Sequence, residues 1–97
     1  MEIDVEKLQV VNNEKESRFE IDVNGKLAMA EYRLKPGQIT FTHTEVPKEL
    51  GGKGIAQKLV RAALDHAKAK NLKVVPLCQF VSSFIQRNGE YESLVAK

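Results

Sequence analysis

The chain has 97 residues, of which 42% are hydrophobic and 29% are charged, a composition typical of one globular domain covering residues 1–97. Its fifteen basic residues are matched by thirteen acidic ones spread along the chain, so the net charge of +2 does not by itself predict nucleic-acid binding. The lone cysteine, Cys78, excludes an intrachain disulfide and a zinc site of several thiolates, and no resident metal is expected.

Acidic residues occupy the N-terminus, where a secretory signal needs a basic start and an apolar run. Glu2, Asp4 and Glu6 do not fit that pattern. No apolar stretch approaches the roughly 20 residues that a membrane-spanning helix requires. We therefore expect a cytoplasmic protein with no membrane partner, and a free thiol at Cys78 fits a reducing compartment.

Strand-like patterns occupy the first third of the chain. Leu8 to Val11 form a short apolar run that predicts a strand, and a polar turn follows at 12–17. From Phe19 to Val23, apolar and charged residues alternate with the period of a half-buried strand. Asn24-Gly25 favours a type I′ hairpin turn, because both central positions of that turn need positive φ. The next strand is predicted from Lys26 to Leu34.

A fourth strand, Gln38 to Val46, follows the turn at Pro36-Gly37. Strict alternation puts one set of its side chains on a shared face: Ile39, Phe41, His43 and Glu45. This face begins apolar and becomes polar towards the end of the strand, which indicates a functional site there.

A glycine-rich loop separates that strand from a helical pattern. Apolar residues recur at three- and four-residue spacing from Ile55 to Ala67, which predicts an amphipathic helix of about four turns that ends at Asn71. Val74 to Cys78 predict a short buried strand, and Phe80 to Arg87 predict a second, weaker helix.

The glycine loop suits an anion. The first turn of a helix has unpaired N–H groups and lies at the positive end of the helix dipole, and glycines let a phosphate approach the backbone. The alternative is a flexible connection whose glycines only accommodate tight turns. A Walker-type loop is excluded because Lys53 is followed by Gly54 rather than by Ser or Thr, and the Rossmann fingerprint is absent.

The tract from Phe41 to Arg87 resembles the GNAT superfamily of acyl-CoA-dependent N-acetyltransferases. The phosphate-binding signature of that superfamily, Gln/Arg-x-x-Gly-x-Gly/Ala, falls on Glu49 to Gly54, with Glu49 at the position where Gln or Arg is usual. The resemblance is closest to a compact branch that shares the run Phe41 to Pro47, the Gly-Lys-Gly of the loop, and the segment Val75 to Val81.

The resemblance, which covers roughly residues 17–91, implies a mixed α/β (α+β) fold with a mostly antiparallel sheet. A long helix follows strand 4 and a short helix follows strand 5. The ends of these two strands are expected to separate and leave a wedge, where the thioester of acyl-CoA meets its acceptor. The implied activity is transfer of an acetyl group from acetyl-CoA to an unidentified amine, by a monomer or a homodimer.

The resemblance also implies which residues surround coenzyme A. The strand-end residues Thr44, Glu45 and Val46 line the pantetheine arm. The loop residues that wrap the pyrophosphate are Gly51, Gly52, Lys53, Gly54, Ile55 and Ala56. Cys78 is expected close to the thioester, and Arg87 and Asn88 are candidates for contact with the cofactor or the acceptor.

Three residues near the wedge are candidates for catalysis: His43, Glu45 and Cys78. A neutral His43 imidazole is suited to take a proton from the attacking amine, with Glu45 as a rival base; the alternative for His43 is a buried structural histidine. A Cys78 thiolate is suited to accept the acetyl group, although a small buried residue is the alternative and the superfamily mostly transfers directly. Tyr91 comes too late to match the tyrosine that protonates the departing thiolate in many members, so the general acid is unassigned.

Two other functions stay open at this stage. A chain this short leaves out the early helices that form the acceptor pocket in larger members, so an acyl-CoA-binding protein without catalysis is one alternative. The antiparallel strands, the loop Gly52 to Gly54 and the basic residues Lys58 and Arg61 loosely resemble a double-stranded-RNA-binding domain. The strand at Val74 to Cys78 has no place in that domain, which makes a nucleic-acid partner the less favoured alternative.

Overall fold

The computed structural model describes residues 4–96, so Glu2 lies outside the described residues. Five strands form one sheet: β1 Val11–Asn13, β2 Arg18–Val23, β3 Lys26–Lys35, β4 Gln38–Glu45 and β5 Lys73–Pro76. The α-helices are α1 Ile55–Ala69 and α2 Gln79–Arg87. Short 3₁₀-helices lie at Val5–Lys7, Lys48–Leu50 and Gly89–Leu94.

The strands lie in the sheet in chain order, and each of the first four is antiparallel to its neighbour. β5 pairs in parallel with β4, because α1 carries the chain back across the sheet between them. This confirms the mixed, mostly antiparallel sheet with a long helix after strand 4 and a short helix after strand 5. A parallel fifth strand is incompatible with the double-stranded-RNA-binding alternative.

The hairpin between β2 and β3 has the turn that the sequence predicts. Asn24 and Gly25 have φ of 53° and 86°, the left-handed conformation that a type I′ turn needs at both central positions. The Asp22 carboxylate adds a local hydrogen bond, accepting from the Gly25 N–H at 2.8 Å.

The first strand lies further along the chain than the apolar run predicted. Leu8 is outside the strand and packs against the core, whereas Asn12 pairs with Phe19. The Asn12 side chain accepts a hydrogen bond of 2.7 Å from the hydroxyl of Tyr32. This long-range contact stabilises a polar residue in the strand, and a local hydrophobic pattern does not reveal it.

The core lies between one face of the sheet and both α-helices. The buried strand residues are Phe19, Ile21, Val23, Ala28, Ala30, Tyr32, Ile39, Phe41 and Val74. The buried helix residues are Ile55, Leu59, Val60, Ala63, Leu64, Ala67, Val81, Phe84 and Ile85. The spacing of three and four residues along α1 therefore turns one stripe of the helix towards the sheet, as predicted.

β4 contains one residue more than the strand beside it. Tyr32 of β3 pairs with Phe41, but the preceding residue, Glu31, pairs with His43. Thr42 is therefore the extra residue of a β-bulge, and its hydroxyl lies 3.4 Å from the carbonyl oxygen of Glu31. A bulge of one residue reverses the faces of all side chains that follow it in the strand.

The bulge makes the predicted alternation of β4 wrong beyond Phe41. Thr44 pairs with the buried Ala30 and lies on the face that the helices cover. His43 and Glu45 lie on the opposite face, and their side chains are 55% and 60% exposed. The alternative of a buried structural histidine at position 43 is therefore also wrong.

The last strand is shorter than predicted. It ends at Pro76, Leu77 is 70% exposed, and Cys78 is the N-cap residue of α2, which begins at Gln79. The Cys78 N–H donates a hydrogen bond of 3.0 Å to the carbonyl oxygen of Phe41, so the chain stays attached to β4 for one further contact. Within residues 4–96, no helix is both long and apolar enough to cross a membrane.

The packing of α1 predicts a large difference between two leucine substitutions. Leu59 is fully buried and Leu34 is 59% exposed. We expect Leu59→Ala to lower the free energy of unfolding by about 2–5 kcal/mol, because it leaves a cavity in the core. Leu34→Ala is the matched control and should change it by about 0.5 kcal/mol or less. Urea unfolding followed by circular dichroism measures both, and equal losses would contradict this description of the core.

Candidate functional site

The loop between β4 and α1 has a backbone that only glycine adopts readily. It begins with the 3₁₀-helix Lys48–Leu50, which buries the Leu50 side chain in the core. Gly52 and Gly54 then have φ of 75° and 81°. A Cβ atom at either position would meet no heavy atom within 4 Å, so the space beside both glycines is open. A ligand can therefore approach the backbone of this loop closely.

The N-terminus of α1 opens directly onto this loop. Gly54 is its N-cap residue, no side chain caps it, and its first turn contains no acidic residue. The N–H groups of Ile55 and Ala56 belong to the first turn, where a helix leaves its donors without intrahelical partners. These donors and the positive end of the helix dipole are suited to hold an anion.

A second feature lies where β4 and β5 separate. Their pairing ends at Phe41 and Pro76, while β4 continues to Glu45 and the other chain segment turns into α2. At this point the Cys78 Sγ lies 3.3 Å from the Thr44 Oγ1. We call the space between the diverging segments the wedge; Thr44 and Cys78 meet at its inner end, on the helix-covered side of the sheet.

The environment of Cys78 lowers the pKa of its thiol. Burial raises the pKa of the thiol, but the Thr44 hydroxyl and the N–H groups of Val81 and Phe80 stabilise the negative sulfur, and together they bring its pKa below the ordinary range. The thiol lies at the N-terminal end of α2, where backbone N–H groups are free to donate.

His43 and Glu45 lie beside the wedge on the uncovered side of the sheet. The His43 Nε2 is 3.9 Å from a carboxylate oxygen of Glu45. Both side chains are exposed and carry atoms that can accept a proton. Val46, the next residue, is half-buried and packs against the core.

A groove of about 400 Å³ runs between the start of α1 and α2. It is lined by Gln57, Gln79, Phe80, Ser83, Phe84 and Arg87. Of these residues, only Arg87 was predicted from the sequence as a candidate for contact with a ligand. The spacing of positions 80, 83, 84 and 87 places them along one side of a helix. This spacing could have predicted from the sequence that these four residues share a surface. Arg87 is exposed.

The comparisons with known proteins agree with this architecture. The family model of GCN5-related N-acetyltransferases matches residues 18–94. The chain belongs to the GCN5-related N-acetyltransferase family. Protein NATD1 of Danio rerio is 31% identical over 86 residues, which are 84% of this chain and 77% of that protein. Protein NATD1 of Gallus gallus is 32% identical over 85 residues, which are 84% of this chain and 76% of that protein.

A solved structure supports the same assignment. The solution NMR structure of a GCN5-like protein from Staphylococcus aureus matches with a TM-score of 0.71 and 33% sequence identity. The match covers 92% of this chain and 88% of that protein. The small single-domain GNAT fold implied by the sequence is therefore confirmed.

The departure from the GNAT signature at Glu49 has a structural explanation. The Glu49 carboxylate forms an ion pair with Lys26, at the start of β3, and this contact lowers the pKa of the carboxyl group. Glu49 therefore connects the beginning of the glycine loop to the neighbouring hairpin. Its negative charge is directed to Lys26.

Two residues after α2 are engaged in contacts with the helices. Asn88 accepts a hydrogen bond of 3.2 Å from Arg61 and donates one of 2.9 Å to the carbonyl oxygen of Phe84. The buried Tyr91 hydroxyl donates to Asp65 at 2.7 Å, and burial together with this carboxylate raises the pKa of the tyrosine. These contacts attach the C-terminal segment to α1. Both side chains are therefore engaged in contacts within the protein.

The hydrogen bond between Thr44 and Cys78 predicts a change in thiol reactivity. In Thr44→Val the thiolate loses a donor, so the pKa of Cys78 should rise and alkylation by iodoacetamide at neutral pH should slow. Thr44→Ser keeps the hydroxyl and should keep the wild-type rate. The rate is measured by intact mass, because Cys78 is the only cysteine in the chain. An unchanged pH profile in Thr44→Val would show that the hydroxyl does not act on the thiol.

Proposed function

We propose that this protein is an N-acetyltransferase that binds acetyl-CoA and transfers its acetyl group to an amine. Two neighbouring features carry the proposal. The N-terminus of α1 has no side-chain cap and follows two glycines in the left-handed conformation, and the wedge lies beside it. The first feature holds phosphate and the second admits an extended chain ending in a thioester. Membership of the GNAT family supports the same activity.

The pyrophosphate of coenzyme A lies against Gly51, Gly52, Lys53, Gly54, Ile55 and Ala56 in this proposal. Backbone N–H groups supply the hydrogen bonds, and the exposed Lys53 adds a positive charge. Lys58, one turn into α1, is less suited to this role. Its ammonium group already donates to the carbonyl oxygens of Val5 and Glu6, at 2.8 and 3.1 Å.

The pantetheine arm follows the separated end of β4. Beyond Phe41, β4 is no longer paired with β5, so the backbone of Thr44, Glu45 and Val46 faces the wedge on that side. Amide groups of an extended ligand can hydrogen bond to such an edge as a further strand would. The groove between α1 and α2 continues from this region, and Arg87 offers it a cation for a phosphate.

In the proposed reaction the amine nitrogen attacks the thioester carbonyl carbon directly. His43 or Glu45, whose side chains lie 3.9 Å apart, accepts the proton that the amine gives up. The carbon–sulfur bond then breaks, and the thiolate of coenzyme A leaves and is protonated. Direct transfer needs no covalent enzyme intermediate, and Cys78 lies close to the thioester without attacking it.

The cofactor site is tested by one aspartate in the loop. Gly54→Asp adds a negative charge and a side chain where φ is 81°, and we expect the affinity for acetyl-CoA to fall by about 100-fold or more. Gly37→Asp is the matched control, because Gly37 has φ of 75° and equally open surroundings in a turn at the other end of β4. Calorimetric titration measures both.

This titration has one outcome that supports the proposed site and one that contradicts the proposed function. Binding by wild type and by Gly37→Asp, but not by folded Gly54→Asp, supports the proposed site. Absence of acetyl-CoA binding by the folded wild-type protein would contradict the proposed function.

Catalysis is tested by comparing His43→Gln with Cys78→Ala. We expect His43→Gln to lower kcat by about 10²–10⁴-fold if the imidazole takes the proton, with unchanged acetyl-CoA affinity. Glu45→Gln identifies the rival base by the same measurement. Cys78→Ala should keep most of the activity, and wild type incubated with acetyl-CoA should show no acetylated Cys78 by peptide mass spectrometry. Accumulation of acetyl-Cys78 together with an inactive Cys78→Ala would establish a covalent route instead.

A further inference from the structure

One face of the sheet has no helix packed against it within residues 4–96. We call it the open face. Its side chains alternate with the buried ones and include Arg18, Glu20, Asp22, Met29, Glu31, Arg33, His43 and Glu45. The two α-helices, the groove between them and the core all lie on the other side. The open face is therefore an unpartnered sheet surface that reaches the wedge.

The bulge at Thr42 connects this surface to the proposed chemistry. It turns His43 and Glu45 onto the open face, while Thr44 and Cys78 meet on the helix side. If acetyl-CoA occupies the helix side, an amine must approach the thioester from the other side of the wedge. The acceptor therefore reaches the proposed bases across the open face.

The open face has an acidic end and a basic end. The acidic end, nearest the wedge, contains Asp22, Glu31 and Glu45, together with Glu20, which is paired with Arg18; Arg18 also lies opposite Glu31 in the register of β2 with β3. Neighbouring strands are about 4.8 Å apart, so these carboxylates extend over about 10 Å across the strands from β2 to β4, and Asp22 and Glu31 are offset by about a further 13 Å along the strands. The far end of the face is basic and contains Arg33, Lys35 and Lys73.

This arrangement favours an acceptor that is positively charged and longer than a small molecule. Carboxylates attract a positively charged ligand to the wedge, and the basic end repels it from the other half of the face. A small-molecule site normally encloses most of its ligand. His43 and Glu45 are instead more than half exposed on a flat sheet, which suits a longer chain that makes several contacts.

We propose that the acceptor is a lysine-rich peptide segment that lies across the acidic end of the open face and places one lysine ε-amine in the wedge. This inference rests on the proposed acetyl transfer for its chemistry, but the binding of the peptide does not require acetyl-CoA. The carboxylates of Asp22 and Glu31 bind two other cations of the segment. His43 or Glu45 removes the proton that a lysine amine carries at neutral pH.

The test uses a fluorescein-labelled peptide of alternating lysine and glycine, titrated with the protein without acetyl-CoA. The variant Asp22→Asn/Glu31→Gln removes two charges from the open face, and the asparagine keeps an acceptor for the Gly25 N–H. Glu14→Gln/Glu92→Gln removes two exposed charges elsewhere and is the matched control. We expect the Kd of the peptide to rise about threefold to tenfold in the first variant and to stay unchanged in the control.

A second measurement follows acetylation of the same peptide by mass spectrometry. The first variant should show a raised KM for the peptide with kcat and acetyl-CoA affinity unchanged. Equal acetylation of a lysine flanked by glutamates, or acetylation of spermidine but not of the peptide, would overturn the proposal. So would equal peptide binding by both variants. If the protein does not bind acetyl-CoA but the peptide still binds the open face, the proposed acetyl transfer is contradicted and the peptide-binding site is supported.

Discussion

The extra residue in β4 determines which side chains surround the wedge. Without the bulge at Thr42, strict alternation would bring His43 to the helix side and leave Thr44 on the open face. With it, a hydroxyl and a thiol meet on the side where the groove between α1 and α2 lies, and an imidazole and a carboxylate lie on the other. One inserted residue therefore divides the proposed site into a cofactor side and an acceptor side.

The loop before α1 depends on backbone geometry more than on side-chain chemistry. The buried Leu50 attaches its first part to the core, and the ion pair of Glu49 with Lys26 attaches it to the neighbouring hairpin. The glycines after it adopt left-handed φ and leave open space. A phosphate site of this kind tolerates an unusual residue at position 49, because the donors are backbone N–H groups.

Local pattern predicted the hairpin at Asn24-Gly25, the stripe of α1 and the glycine loop, because each depends on neighbours in sequence. Long-range pairing was not predictable in this way. The bulge at Thr42 depends on the register with β3, and the place of Asn12 in β1 depends on the Tyr32 hydroxyl. The family resemblance provided the mixed, mostly antiparallel sheet and the separation of strands 4 and 5. It could not show that His43 is exposed, which follows from the bulge alone.

The most direct test of this account is the change in backbone amide chemical shifts when coenzyme A is added to the ¹⁵N-labelled protein. The account predicts that the largest changes fall on Gly51 to Ala56 and on the wedge residues Thr44 and Cys78. The open face, represented by Asp22 and Glu31, should change little, because the cofactor occupies the other side of the sheet. Large changes centred on the open face, with none in the glycine loop, would contradict the central claim that backbone donors before α1 hold the cofactor.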